Sequence, residues 1–216
     1  MRDISRVKPA VMLLSGGLDS AVTLYFAKKK GYKLTALIFN YGQKHKKEVN
    51  CAKRIARLNK INYYLVKIGL SWTKSSLTDC QIKIPVSSNL KKKIIPSTYV
   101  SARNIIFLSY AASLAESLKA KAIFIGAHIQ DYSGYPDCRP EFLKLFQKAV
   151  NSGMKSQDIR IHAPLINKSK KEIVRLGMRL GVPFQYTWSC YKGNKMPCGE
   201  CDSCRFREEA FKELSK

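Results

Sequence analysis

Four cysteines close together, Cys190-x7-Cys198-x2-Cys201-x2-Cys204, have the spacing of ligands for one tetrahedral ion. Thiolates suit Zn²⁺, and a site with four of them leaves no position open for water, so the expected role is structural. Such an ion would tie residues 188–205 into a knot that so short a segment could not hold by burial alone. Iron–sulfur ligation and a redox dithiol are the chemical rivals. Near the other end, Ser15-Gly16-Gly17-Leu18-Asp19-Ser20 follows the apolar run Val11-Met12-Leu13-Leu14. The glycines permit a turn that larger residues resist, and Asp19 or Ser20 can cap the helix that runs on from Ala21. Strand, glycine turn and helix N-terminus together aim backbone N–H groups into one concavity suited to a phosphate or pyrophosphate. The chain has neither a G-x-x-x-x-G-K-[ST] loop nor a G-x-G-x-x-G fingerprint, so two commoner phosphate loops are excluded.

The elements around these residues follow from apolar periodicity. Val11–Leu14, 34–39, Tyr63–Ile68 and 122–125 read as strands, with a short fifth at 159–161. Helices are expected over 20–29, 44–58, 102–118, 141–151 and, behind a Ser169 cap, through Leu180. The 102–118 segment is apolar on nearly every side and predicts a buried helix with Arg103 and Asn104 in its first turn. Alternation of strand and helix predicts an α/β fold, a parallel sheet with helices on both faces and a small C-terminal zinc knot of four cysteines. Ligands of such sheets gather beyond the C-terminal strand ends, where both SGGLDS and Asn40-Tyr41-Gly42-Gln43 fall. Residues 69–98 hold no periodic run and predict a long loop, mobile enough to close over a site. The expected organisation is a nucleotide-binding domain over 1–186 with a zinc-binding segment, 187–216, packed on it.

At 216 residues, with 45% hydrophobic and 25% charged, the chain can bury one domain core. No apolar stretch is long enough for a membrane span and the first residues lack the core of a signal peptide, which predicts a cytoplasmic protein. Cys51, Cys80 and Cys138 are scattered, so a disulfide framework does not fit. The net charge of +24 favours anionic partners, yet its lysines are dispersed in short runs such as 28–30, 91–93 and 168–171. Lysine is a poorer shape than arginine for base readout, so dispersed lysine reads first as solvated surface.

The SGGxDS turn resembles the PP-loop of ATP pyrophosphatases, the adenine nucleotide alpha-hydrolase-like fold. With Asn40-Tyr41-Gly42-Gln43, the segment 99–104, the run from Asp131 to Arg139, Ser189-Cys190-Tyr191 and the CxxCxxC end, it resembles the 7-cyano-7-deazaguanine synthase family of queuosine biosynthesis over nearly the whole chain. Ser101 stands where that family usually has Pro, and His128 where it tends to carry a smaller or amide residue. The resemblance implies an ATP-dependent ligase that turns the carboxylate of 7-carboxy-7-deazaguanine, with ammonia, into the nitrile preQ0 through adenylated acid and amide intermediates. Leu14, Ser15, Gly16, Gly17, Leu18, Asp19, Ser20, Ala21, Val22, Thr23 and Leu24 would hold ATP, with Ser15, Asp19 and Ser20 taking part in catalysis. Asp19 caps the helix or holds Mg²⁺. Phe39, Tyr41 and Gly42 would border the adenosine, and Arg103 and Lys170 would compensate charge in the adenylating transition state. Asn104, Asp131, Tyr135, Asp137 and Arg139 would border the deazaguanine, a structural pairing of Arg103 with Asp131 or Asp137 being the plainer alternative. A PP-loop predicts AMP and pyrophosphate, whereas the family's reaction is often written with ADP and phosphate. A homodimer is implied, and neither a stable nucleic-acid partner nor a membrane. Two rivals remain at this point: a PP-loop tRNA modifier, which would need a sulfur-handling cysteine and RNA-binding extensions, and a zinc-knuckle nucleic-acid module, which the intact SGGLDS disfavours.

Overall fold

The fold is that of a computed structural model, which describes residues 8–86, 95–128, 134–155 and 158–214. Strands β1 (Lys8–Leu13), β2 (Tyr32–Asn40), β3 (Asn62–Lys67), β4 (Ala122–Phe124) and β5 (Arg160–His162) form one sheet in the order β3-β2-β1-β4-β5. Every pairing is parallel. Helices α1 (Leu18–Lys29), α2 (Lys47–Leu58), α3 (Arg103–Ser117), α4 (Pro140–Gly153), α5 (Lys170–Arg179) and α6 (Asp202–Lys212) supply the crossovers and the C-terminal end.

Side chains alternate across a strand, and here both faces are buried, which is why the strands read as continuous apolar runs. Ala10, Met12, Leu34, Ala36, Ile38 and Phe124 enter one core with α1, α2, α5 and α6. Val11, Leu13, Leu37, Phe39 and Ile123 enter the other with α3 and α4. Ala210 is buried in the first core, with Phe211 and Leu214 packed against it, so the C-terminal segment closes that layer.

Several expectations need correction. Helix α3 is not buried all round: Leu108, Ala111, Ala112 and Ala115 are buried, while Ile105 and Tyr110 are exposed. It lies on one sheet face and covers it with the small side chains of one stripe, which the apolar content of the segment does not reveal. Neither Asp19 nor Ser20 caps α1; the cap position is Gly17, without a side-chain hydrogen bond. Helix α6 has no counterpart in the sequence reading, because its charged residues mask the apolar periodicity. The described ends of the 69–98 loop are pinned to each other, the Ser76 N–H donating to the Ser97 carbonyl at 2.8 Å and the Ser75 hydroxyl at 3.1 Å. Ser75 and Ser76 are buried there. The Ser169 cap holds, with a capping box in which Ser169 and Glu172 satisfy each other's backbone donors.

Candidate active site and metal centre

Strand β1 is central, and its two neighbours are entered from opposite directions of the chain, so a crevice opens between the C-terminal ends of β1 and β4. The glycine turn sits at its mouth. Gly16 has φ +88°, and a Cβ there would stand 2.2 Å from the Glu48 carbonyl oxygen and 2.7 Å from the Ala52 nitrogen. Only glycine lets the turn press so closely on α2. The Gly17 N–H donates to the Ser15 hydroxyl at 3.2 Å, which donates to the Ser20 hydroxyl at 3.1 Å, which in turn donates to the Gly17 carbonyl at 3.0 Å. The first intrahelical bond is Ala21 N–H to that same carbonyl, so the amides of the opening turn precede the helix's own pairing.

Asp19 projects from this turn toward Lys170, whose ammonium donates to both carboxylate oxygens at 2.8 and 2.9 Å. Lys170 Nζ also lies 2.9 Å from Nε2 of the buried His128, which is 3.7 Å from Asp19 Oδ2. Burial pushes the Asp19 carboxyl up, but Lys170 and His128 outweigh it and hold the group below its ordinary value. Lys170 therefore belongs to the glycine turn and not to the solvated lysine of its own run.

A cavity of about 650 Å³ extends from the turn, within the size range of small-molecule sites. Leu14, Ser15, Gly17, Leu18, Asp19 and Ser20 line it, as do Phe39 and Tyr41. Gly16 backs onto α2, Gly42 is exposed on the following loop, and Ala21, Val22, Thr23 and Leu24 are buried within α1, outside the lining. Phe107 stacks on Phe39 with ring centroids 3.9 Å apart and planes 7° off parallel.

Arg103 enters from the start of α3, its Nη1 donating to the Tyr41 hydroxyl at 3.2 Å. The expected alternative, a pair with Asp137, does not form. Asp137 Oδ2 instead accepts the Asn104 backbone N–H at 2.9 Å, leaving Oδ1 buried and without a partner. Asn104 and Tyr135 line the cavity, with the Tyr135 hydroxyl 2.7 Å from that of Thr98. Arg139 is exposed beside the start of α4 and is not part of the lining. Asp131 lies outside the described residues.

Sequence reasoning missed part of this wall. His45, Glu48, Thr98, Trp188 and Phe206 line the cavity; Thr98, Trp188 and Phe206 flank the 99–104 and cysteine motifs, whereas His45 and Glu48 carry no motif of their own. Two lie just after the Asn40–Gln43 motif, and that proximity is the one signal that could have pointed to them. Burial pushes the Glu48 carboxyl up to about 7, with Arg103 pulling the other way. Burial likewise lowers His45, against hydrogen bonding to the backbone of Cys190 and Tyr191.

The thiols of Cys190, Cys198, Cys201 and Cys204 all lie within 4.8 Å of one another, and all four are free of disulfides. Sulfurs that close, on three buried residues and one half-buried, fit a single tetrahedral metal ion. The knot also forms a wall of the cavity. The Trp188 backbone N–H donates to the Gly16 carbonyl at 3.0 Å, and Lys47 sits 4.3 Å over the Trp188 ring.

The chain is 50% identical over 214 residues to the 7-cyano-7-deazaguanine synthase of Clostridium kluyveri, covering 96% of this chain and 94% of that one. It is 50% identical over 212 residues to the synthase of the same name from Microcystis aeruginosa, covering 95% and 92%. Among solved structures it is similar to NMN synthetase from Francisella tularensis, with a TM-score of 0.54 at 18% identity over 97% of this chain and 78% of that one, a likeness of fold. Residues 9–215 match the model of the queuosine biosynthesis protein QueC, and the chain belongs to that family.

Proposed function

We propose that this chain is an ATP-dependent 7-cyano-7-deazaguanine synthase, taking 7-carboxy-7-deazaguanine and ammonia to the nitrile. The observation that carries it is the glycine cradle at the β1/β4 crevice, opening onto a cavity lined by Arg103 and Lys170. A carboxylate resists ammonia because oxide would have to leave. Adenylation supplies a leaving group, and a second activation, of the amide oxygen, permits its departure and leaves the nitrile. Both activations set an oxygen nucleophile opposite pyrophosphate, so one cradle serves twice, and AMP and pyrophosphate are the expected nucleotide products.

The amides and hydroxyls of Ser15, Gly16, Gly17 and Ser20 bind the pyrophosphate, as a helix N-terminus does. Phe39 and Tyr41 border the adenosine. Arg103 and Lys170 face the α-phosphate and offset the charge gathering there. Asn104 and Tyr135 border the base. Asp137 lies behind this wall, outside the lining, and its Oδ1 is a buried acceptor of the kind a guanine-like N–H edge satisfies if the wall opens to it on binding. Asp19 would hold Mg²⁺, which would supply positive charge to the phosphates; both oxygens accept from Lys170 and keep further lone pairs. The four thiolates hold Zn²⁺, in a segment over 187–216 packed on the domain. No helix among the described residues is long and apolar enough to cross a membrane. A cytoplasmic homodimer without a stable nucleic-acid partner completes the reading.

The test is incubation with ATP, Mg²⁺, ammonia and 7-carboxy-7-deazaguanine, with base and nucleotide products identified by mass. Nitrile together with AMP and pyrophosphate is expected. Recovery of the acid unchanged, from folded and metal-loaded protein, would overturn the assignment.

A further inference from the structure

Glu48 stands in the first turn of α2, directly behind the glycine turn, where its carbonyl oxygen occupies the space of a Gly16 side chain. Glu48 lines the cavity and feels the charge of Arg103. Among the described residues three carboxylates line the cavity: Asp19, Glu48 and Asp202. Asp19 is held by Lys170, and Asp202 opens α6 one residue after Cys201, on the metal wall. Glu48 is the lining carboxylate that remains, one wall of the cavity that begins at the glycine turn. Electrostatically coupled to it are the Arg103 guanidinium from α3, the Tyr41 hydroxyl just after β2 and the Cys51 thiol from its own helix; Lys44 and His45, ahead of α2, line the same cavity, and Lys47 opens the helix.

The reaction proposed above sheds protons that no residue assigned so far can take. Arg103 and Lys170 are cations, and the Asp19 carboxylate is stabilised in its charged form. We propose, resting on the synthase reading, that Glu48 is the general base that removes N–H protons during amination and dehydration. In amination the ammonia nitrogen forms the C–N bond, AMP leaves with the C–O electron pair, and the surplus N–H proton passes to the Glu48 carboxylate. In dehydration the amide oxygen attacks the α-phosphorus and releases pyrophosphate. The two remaining N–H protons then leave in turn, the second as the C–O bond breaks, AMP departs and the C≡N bond closes. Glu48 returns each proton to solvent through the cavity mouth. Its elevated pKa near neutrality suits this work, since a base is most useful when its pKa lies near the working pH.

Glu48→Gln and Glu48→Asp separate this role from structural support. Two readouts are needed: exchange of labelled pyrophosphate into ATP with the acid and no ammonia, and formation of amide and nitrile across pH. For Glu48→Gln, nitrile formation should fall about 100-fold while exchange falls no more than a few-fold. The wild-type kcat should drop as pH falls through about 7. Glu48→Gln should lose that limb and Glu48→Asp should recover part of it. An unchanged rate and pH profile in Glu48→Gln would overturn the proposal, as would equal loss of exchange and nitrile in a variant that melts normally. A wild-type protein with neither exchange nor nitrile would instead sink the synthase reading itself.

Discussion

Asp19 keeps its charge inside the protein because Lys170 meets both of its oxygens, and the consequence is a pH-dependent stability. Its pKa is depressed in the folded state, so its contribution is present above the ordinary value of 3.8 and is lost as pH falls below it. Lys170→Met should therefore unfold more easily at pH 7, by about 1–3 kcal/mol for a largely buried pair, and the gap should close in acid. Urea unfolding at several pH values measures it. Glu48 has the opposite sign. Its raised pKa costs stability as pH climbs from 4.5 through about 7, so Glu48→Gln should melt higher than wild type above pH 7, by roughly 1–3 kcal/mol. Gly16→Ala combines a positive φ with a backbone clash at 2.2 Å. It should cost upward of about 2 kcal/mol and abolish nucleotide binding, read by thermal melts with and without ATP.

At the scale of elements, the cysteine knot holds more than itself. Trp188 lies two residues before Cys190, and its backbone N–H grips the Gly16 carbonyl, so the ordering of the knot reaches the glycine turn. Gly193 packs so closely on His45 that a Cβ there would lie 2.3 Å from the ring, a second tie between the knot and the approach to α2. Chelation at neutral pH should lower the melting temperature and, before global unfolding, weaken ATP binding. Isothermal titration of the metal-free and reloaded protein checks this; unchanged ATP affinity in folded metal-free protein would separate the two sites. The capping box at Ser169 works similarly, fixing the start of α5 and with it the direction from which Lys170 reaches Asp19.

Across the whole molecule, the parallel sheet sets a crevice beside β1, and the chain as a whole carries a net charge of +24. The field of such a charge speeds the arrival of a polyanion such as ATP, and salt screens it beyond about 10 Å at 0.1 M. KM for ATP should rise several-fold between low salt and about 0.3 M, while kcat changes little, because the contacts made inside the cavity are screened least. Steady-state kinetics across ionic strength distinguishes this from a general salt inhibition, which would lower both.

The sequence by itself determined the α/β order, the glycine turn and the clustering of the four cysteines, since each rests on local pattern: short apolar runs and period-3.6 apolar spacing, a φ that only glycine adopts, a close cysteine spacing. It also put Arg103 at a helix start and Lys170 behind a serine cap. Tertiary structure alone decided what those residues meet. That Lys170 binds Asp19 across 151 positions, that Arg103 turns to Tyr41 and not to Asp137, and that Glu48 and Trp188 wall the cavity depend on how helices stack on the sheet. Contacts between distant segments carry no periodic trace in the chain, because each partner's local pattern is satisfied whichever neighbour it finds.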